Sequence, residues 1–138
     1  MNADKFRNRA MAWWVHRLGL QDWYIEVKDG PLPPGEVAST DSQLEWKRAI
    51  ITINPEAFES PDHACPDEVL VVHELLHLVF TGPHDVANEA IERLAGDGVV
   101  GSYMKGCVNR EFERAIDGLA VALSEAHGVL ETSTKPKA

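Results

Sequence analysis

Phe6, Ala10, Trp13, Trp14 and Leu18 recur at the spacing of one helix face, with charged and polar residues between them. The pattern predicts an amphipathic N-terminal helix, and Gly19 supplies its C-terminal stop. The period then changes. Trp23, Ile25 and Val27 alternate with Tyr24, Glu26 and Lys28, as in a half-buried strand. Asp29-Gly30-Pro31-Leu32-Pro33-Pro34-Gly35 must be a loop. A second strand is expected over residues 36–39. A third is expected over residues 44–54, where Ile50, Ile51, Thr52 and Ile53 are β-branched and Asn54-Pro55 breaks the run.

Beyond this point the pattern is helical. Pro66 suits a first helical turn, and Asp67 and Glu68 suit its positive end. Residues 69–80 are apolar nearly all round, which predicts a central, buried helix. Thr81-Gly82-Pro83 is read as its end. A second helix is expected over residues 85–94, weakened afterwards by Gly96, Gly98 and Gly101, and a third over residues 109–127. Residues 1–130 form one α+β domain: an N-terminal helix, a small sheet and C-terminal helices. Residues 131–138 read as a polar, mobile tail.

Composition narrows the function classes. The 138 residues are 44% hydrophobic and 25% charged, enough to bury a core without disulfides or a stapling metal. A metal here would therefore be functional rather than structural. The net charge of −9 repels DNA, RNA and anionic lipid, and no basic run exceeds Lys47-Arg48, so neither nucleic acid nor membrane is an expected partner. Cys65 and Cys107 form no CxxC pair, which suits a reduced, cytoplasmic protein, although one bridge between them stays open. The N-terminus carries His16 and Arg17 inside its apolar stretch, which reads as a helix rather than a signal peptide, and no apolar run is long enough to span a membrane.

The buried helix carries His73-Glu74-Leu75-Leu76-His77, an HExxH pattern. Four residues of helix place both imidazoles on one face, about 40° apart. Their nitrogens can converge on one ion, and neutral imidazoles suit Zn²⁺. Glu74 lies between them, close enough to take a proton from a water on that ion but badly placed to be a ligand. The neighbours Val69, Leu70, Val71, Val72, Leu75, Leu76, Leu78, Val79 and Phe80 sharpen the point, because three ionisable groups in such a helix are costly unless paired or metal-bound.

The segment Asp67-Glu68-Val69-Leu70-Val71-Val72-His73-Glu74-Leu75-Leu76-His77-Leu78 resembles the active-site helix of zincin metallopeptidases. The short chain is similar to the minimal gluzincin-like proteins of phages and bacteria, over about residues 18–123. The resemblance implies a peptide or protein substrate, one Zn²⁺, and a cytoplasmic setting, that of the host if the chain is phage-encoded. A metzincin would place Gly at position 80 and His at position 83, where this chain has Phe80 and Pro83. A carboxylate from a later helix, the gluzincin arrangement, is left as third ligand.

Two helices compete to supply it. Asn88-Glu89-Ala90-Ile91 resembles the third-ligand segment of thermolysin-like enzymes, but Ala87, Ala90, Ile91, Leu94 and Ala95 define the apolar face there, and Glu89 and Glu92 point away from it. In the last helix Phe112, Ile116, Leu119, Ala120 and Leu123 define the face, and Glu113 borders it, about 90° from the centre. The segment from Glu113 to Ala120 also resembles the glutamate helix of the small phage group. Glu113 is the favoured ligand, with Glu89, Glu92, Glu111 and His84 as alternatives. The rival functions are a zinc-binding module without turnover and a regulatory protease that cuts one partner.

The four tryptophans read as core or core edge. His16, His63 and His127 have no partner at ligand spacing. Tyr24 or Tyr103 could assist an oxyanion, and residues 37–40 or 49–53 could offer an edge strand to an extended peptide. Oligomeric state is open.

Overall fold

A computed structural model describes residues 1–59 and 65–134 of the chain. Helix α1 starts as Ala3–Arg9, widens into a π-helical stretch at Ala10–Trp14 and closes with Val15–Arg17. Its first turn is tied down twice. The Asn2 side chain accepts the Lys5 N–H at 2.9 Å, and the Asp29 carboxylate accepts the Ala3 N–H at 2.7 Å. Gly19 ends the helix region at φ +70°, the left-handed conformation that glycine adopts without cost.

Three strands follow: β1 (Tyr24–Asp29), β2 (Ala38–Gln43) and β3 (Arg48–Ile53). Their order is β1-β3-β2, with β3 parallel to β1 and antiparallel to β2. The expected first strand is present, with Val27 buried at its centre. The second strand lies two residues later than expected. The third begins only at Arg48, because Leu44–Trp46 form a 3₁₀ turn and Lys47 takes φ +46° to close the β2–β3 hairpin. Trp46 is consequently 72% exposed on that turn, against the reading of all four tryptophans as core. Trp14 is buried, and Trp13 and Trp23 pack at the core edge.

Two long helices complete the fold: α2 (Asp67–Ala95, 29 residues) and α3 (Val99–Thr134, 36 residues). Three helices were expected here. Thr81-Gly82-Pro83 does not stop α2. Pro83 lacks an N–H to donate and its ring crowds the carbonyl four residues back, yet both Val79 and Pro83 sit on an exposed side where the helix can adjust toward solvent. The real stop is Gly96, at φ +67°. There the chain reverses tightly: a Cβ at Gly101 would lie 1.9 Å from the Gly96 carbonyl oxygen, so no other residue fits. Helix α3 runs through Thr134, into the segment read as a mobile tail; residues 60–64, with His63, and residues 135–138 lie outside the described residues.

The core lies between the sheet, α1 and the first half of α2. Phe6, Ile51, Ile53, Val71, Val72, Leu75 and Ile116 are its largest fully buried side chains. Helix α3 packs mainly along α2. The α+β expectation is met: an N-terminal helix, a small mixed sheet and C-terminal helices. Among the described residues no helix is long and apolar enough to cross a membrane. Cys65 and Cys107 are both free thiols.

Candidate metal centre

Helix α2 runs from the core into the α2–α3 pair, and its HExxH turn lies where sheet, α2 and α3 meet. His73 and His77 face α3, while Glu74, about 100° round the helix, faces β2. The two imidazoles present Nε2 to the same point, 3.2 Å apart. From α3, Glu113 brings Oε2 to 3.7 Å from His73 Nε2 and Oε1 to 3.5 Å from His77 Nε2. One ligand atom from each of these three residues therefore lies within 4.8 Å of the others. The sequence-favoured trio is thus brought together.

The chemistry of this donor set fits a small divalent ion. Ligands about 2.0 Å from a tetrahedral zinc stand about 3.3 Å apart, close to the separations seen. Two nitrogen lone pairs and a carboxylate oxygen at such distances repel one another unless a cation lies between them. His73 Nδ1 lies 3.0 Å from Asp117 Oδ1, a carboxylate neighbour that favours a proton on Nδ1 and so a lone pair on Nε2. Burial lowers the His77 pKa, against the opposing pull of the Glu113 charge, and so favours the neutral imidazole that a metal requires.

Glu74 is 3% exposed. Burial raises its carboxyl pKa above the ordinary glutamate range, and a hydrogen bond from Thr40 opposes the rise. Thr40 Oγ1 donates to Glu74 Oε2 at 2.5 Å. One step along β2, the Ser42 hydroxyl meets Thr81 Oγ1 at 3.1 Å, and Thr81 donates to the His77 carbonyl at 2.7 Å. Alternate residues of β2 are thus laced to alternate turns of α2, and the Glu74 carboxylate is held by the strand as well as by its own helix.

Space opens on both sides of the cluster. One cleft of about 410 Å³ lies toward Thr40, Ser42, His77, His84, Asn109 and Glu113. The other, about 670 Å³, is more apolar and lies toward Ala38, Val69, Leu70, His73, Glu74 and Val121. β2 borders both and is an outer strand of the sheet, as the first of the two edge-strand expectations required. The second fails, because residues 49–53 lie in the central strand β3.

The alternative ligands are engaged elsewhere. Glu89 pairs with Arg93, Glu92 with Lys105 and Glu111 with Arg114. A hairpin at residues 81–84 would have folded Glu89 back beside His77; in the continuous α2 it lies about 18 Å further along the axis. His84 reaches the first cleft but bonds Asn109 Oδ1 at 2.6 Å. Tyr24 and Tyr103 are exposed and line neither cleft. Asp117 and Thr40 were not singled out in the sequence. Asp117 had a signal, since Glu113 and Asp117 are four apart and leave α3 on one side. Thr40 had none, being one polar residue in a polar strand.

No protein-family model, curated protein or solved structure matches the chain.

Proposed function

We propose that the chain is a zinc-dependent metallopeptidase, with His73, His77 and Glu113 as ligands and Glu74 as general base. One observation carries the reading: a carboxylate from α3 meets two histidine Nε2 atoms from α2 at ligand spacing, beside a buried glutamate that is not part of that trio. When bound, zinc would polarise a peptide carbonyl and acidify a water molecule in the cleft. Glu74 then takes that water's proton and returns it to the leaving amine, and Thr40 holds the carboxylate in the pose for both transfers. Asp117 keeps the His73 ring oriented. The outer edge of β2 has backbone groups that can pair with an extended peptide laid across both clefts.

The test is metal content and turnover measured on the same preparations. Protein purified without chelator should carry about one zinc per chain. Less than about a tenth of an equivalent, with no uptake from added zinc, would end the proposal. Glu74→Gln should keep the zinc and lose about 10² to 10⁴ in cleavage rate on any peptide that the wild type cuts. Equal cleavage by wild type and variant would remove Glu74 as base.

A further inference from the structure

The larger of the two clefts joins an apolar wall to an acidic rim. Val69 and Leu70 of α2, Val121 of α3 and Ala38 at the start of β2 supply the wall. Glu36, Asp117 and Glu125 supply the rim, and Glu74 adds a fourth carboxylate beside the metal trio. The α3 side is built by spacing: Asp117, Val121 and Glu125 follow one another at four residues and leave the helix on one side. Neither this cleft nor the smaller one is lined by a lysine or an arginine. Where the described residues form ion pairs with those cations, they form them elsewhere. Arg7, Arg9, Lys47, Arg93, Lys105 and Arg114 each meet an aspartate or glutamate, and none of these acids lines either cleft. Cys65 also lines the larger cleft, and its thiol pKa is pushed up, first by burial and then by the charges of Asp117, Asp67 and Glu74. The cleft holds an unbalanced negative field.

We propose that this cleft seats a lysine or arginine side chain of the peptide, so that the substrates are chains with a basic residue close to the bond that is cut. The cut rests on the metallopeptidase reading; the seat for the side chain rests on the cleft itself. Two features pick out a basic residue independently. The apolar wall suits a long methylene stem and the rim suits a cationic head, and lysine and arginine carry both. An apolar side chain would use the wall and leave the rim unmatched, and an acidic one would meet like charge. Asp117 and Glu125 lie about 12 Å apart along α3 with Val121 midway, so a head group lying over Val121 has a carboxylate within about 6 Å along the axis. Asp117 already faces His73 at 3.0 Å. Glu36 and Glu125 form no ion pair among the described residues, and they are left to meet the incoming charge. The net charge of −9 adds a long-range pull on cationic chains and a push on acidic ones.

Short peptide pools test this, randomised at every position except one that is fixed as lysine, arginine, norleucine or glutamate. Binding is read by fluorescence anisotropy on Glu74→Gln, and cleavage by mass spectrometry on wild type supplied with zinc. The lysine and arginine pools should bind and be cut about three- to tenfold better than the norleucine pool, which keeps the stem and lacks the charge. The glutamate pool should be the poorest. The preference should fade in about 1 M salt, where charges act over only about 3 Å. The double variant Glu36→Gln with Glu125→Gln should lose most of the preference and keep wild-type zinc content and wild-type cleavage of the norleucine pool. A norleucine pool that equals the lysine pool in both readouts overturns the inference, and cleavage of those pools would still support the metallopeptidase reading. A preference that survives unchanged in the double variant overturns it as well. Tighter binding of the basic pools with no cleavage of any pool keeps the seat for a basic side chain and ends the peptidase reading. A chain that neither binds nor cuts any pool ends both.

Discussion

Val72 and Leu76 on α2 are buried, whereas Val86 and Leu94, on the same side of the same helix, stand largely in water. The chemistry follows the same division. His73, Glu74 and His77 lie in the half of α2 that packs on the sheet and α1, together with Thr40, Asp117 and Glu113 around them. The half beyond Pro83 carries charged pairs on its surface and buries Ile91 alone. Position along one helix, rather than residue type, thus separates a rigid site from an open surface. A site that must hold atoms to a few tenths of an ångström belongs where neighbours lock each rotamer.

Truncation at equivalent residues in the two halves gives the largest contrast. Leu75→Ala should cost about 2–5 kcal/mol of stability, while Leu94→Ala should fall within about 0.5 kcal/mol, both read by urea unfolding. A comparable loss at Leu94 would mean that the outer half of α2 is more deeply packed than its exposure shows.

Glutamates test the same division chemically. Glu113→Ala should weaken zinc binding by more than the roughly 100-fold that marks loss of an outer partner. Glu89→Ala should leave it unchanged, since Glu89 pairs with Arg93 and lies about 18 Å along α2 from His77. Isothermal titration of both variants compares them directly, and the reverse ranking would displace Glu113 as ligand. Asp117→Asn should cost less, about 10- to 100-fold in zinc affinity, because the amide still fills the place but no longer offers an anion to the His73 N–H. Smallest is Thr40→Val, which keeps shape and removes the hydroxyl on Glu74. It should lower cleavage by about tenfold, the worth of one hydrogen bond to a charged group, without changing zinc content.

The site was more legible in the sequence than the helices that carry it. Four-residue spacing fixes His73 and His77 on one face whatever the rest of the chain does, and the apolar wheel around Ile116 placed Glu113 at its border correctly. The same wheel reasoning failed further along α2, where Leu94 was assigned to an inward face and is instead exposed. It could not know that the core ends before residue 80. Pro83 misled because a proline inside a helix is costly only where the preceding turn cannot shift, and that depends on packing. Strand β2 was displaced by two residues because Ala38–Gln43 is ASTDSQ, with no apolar alternation to mark it; its order comes from β3 on one side and from α2 on the other.

The contact between Gly96 and Gly101 acts as an origin mark for the ruler that follows. Twelve residues, a little over three turns, separate Gly101 from Glu113. One residue inserted or deleted between them would rotate Glu113 by about 100° and carry it about 1.5 Å along the axis, off the histidines altogether. A side chain at position 101 would instead prise the reversal apart at its tightest point and lift the whole of α3 with it. The distance from this turn to the carboxylate is therefore a length that the chain must conserve. Counting residues from Gly101 to a glutamate gives a ruler by which other short chains with an HExxH helix can be compared with this one.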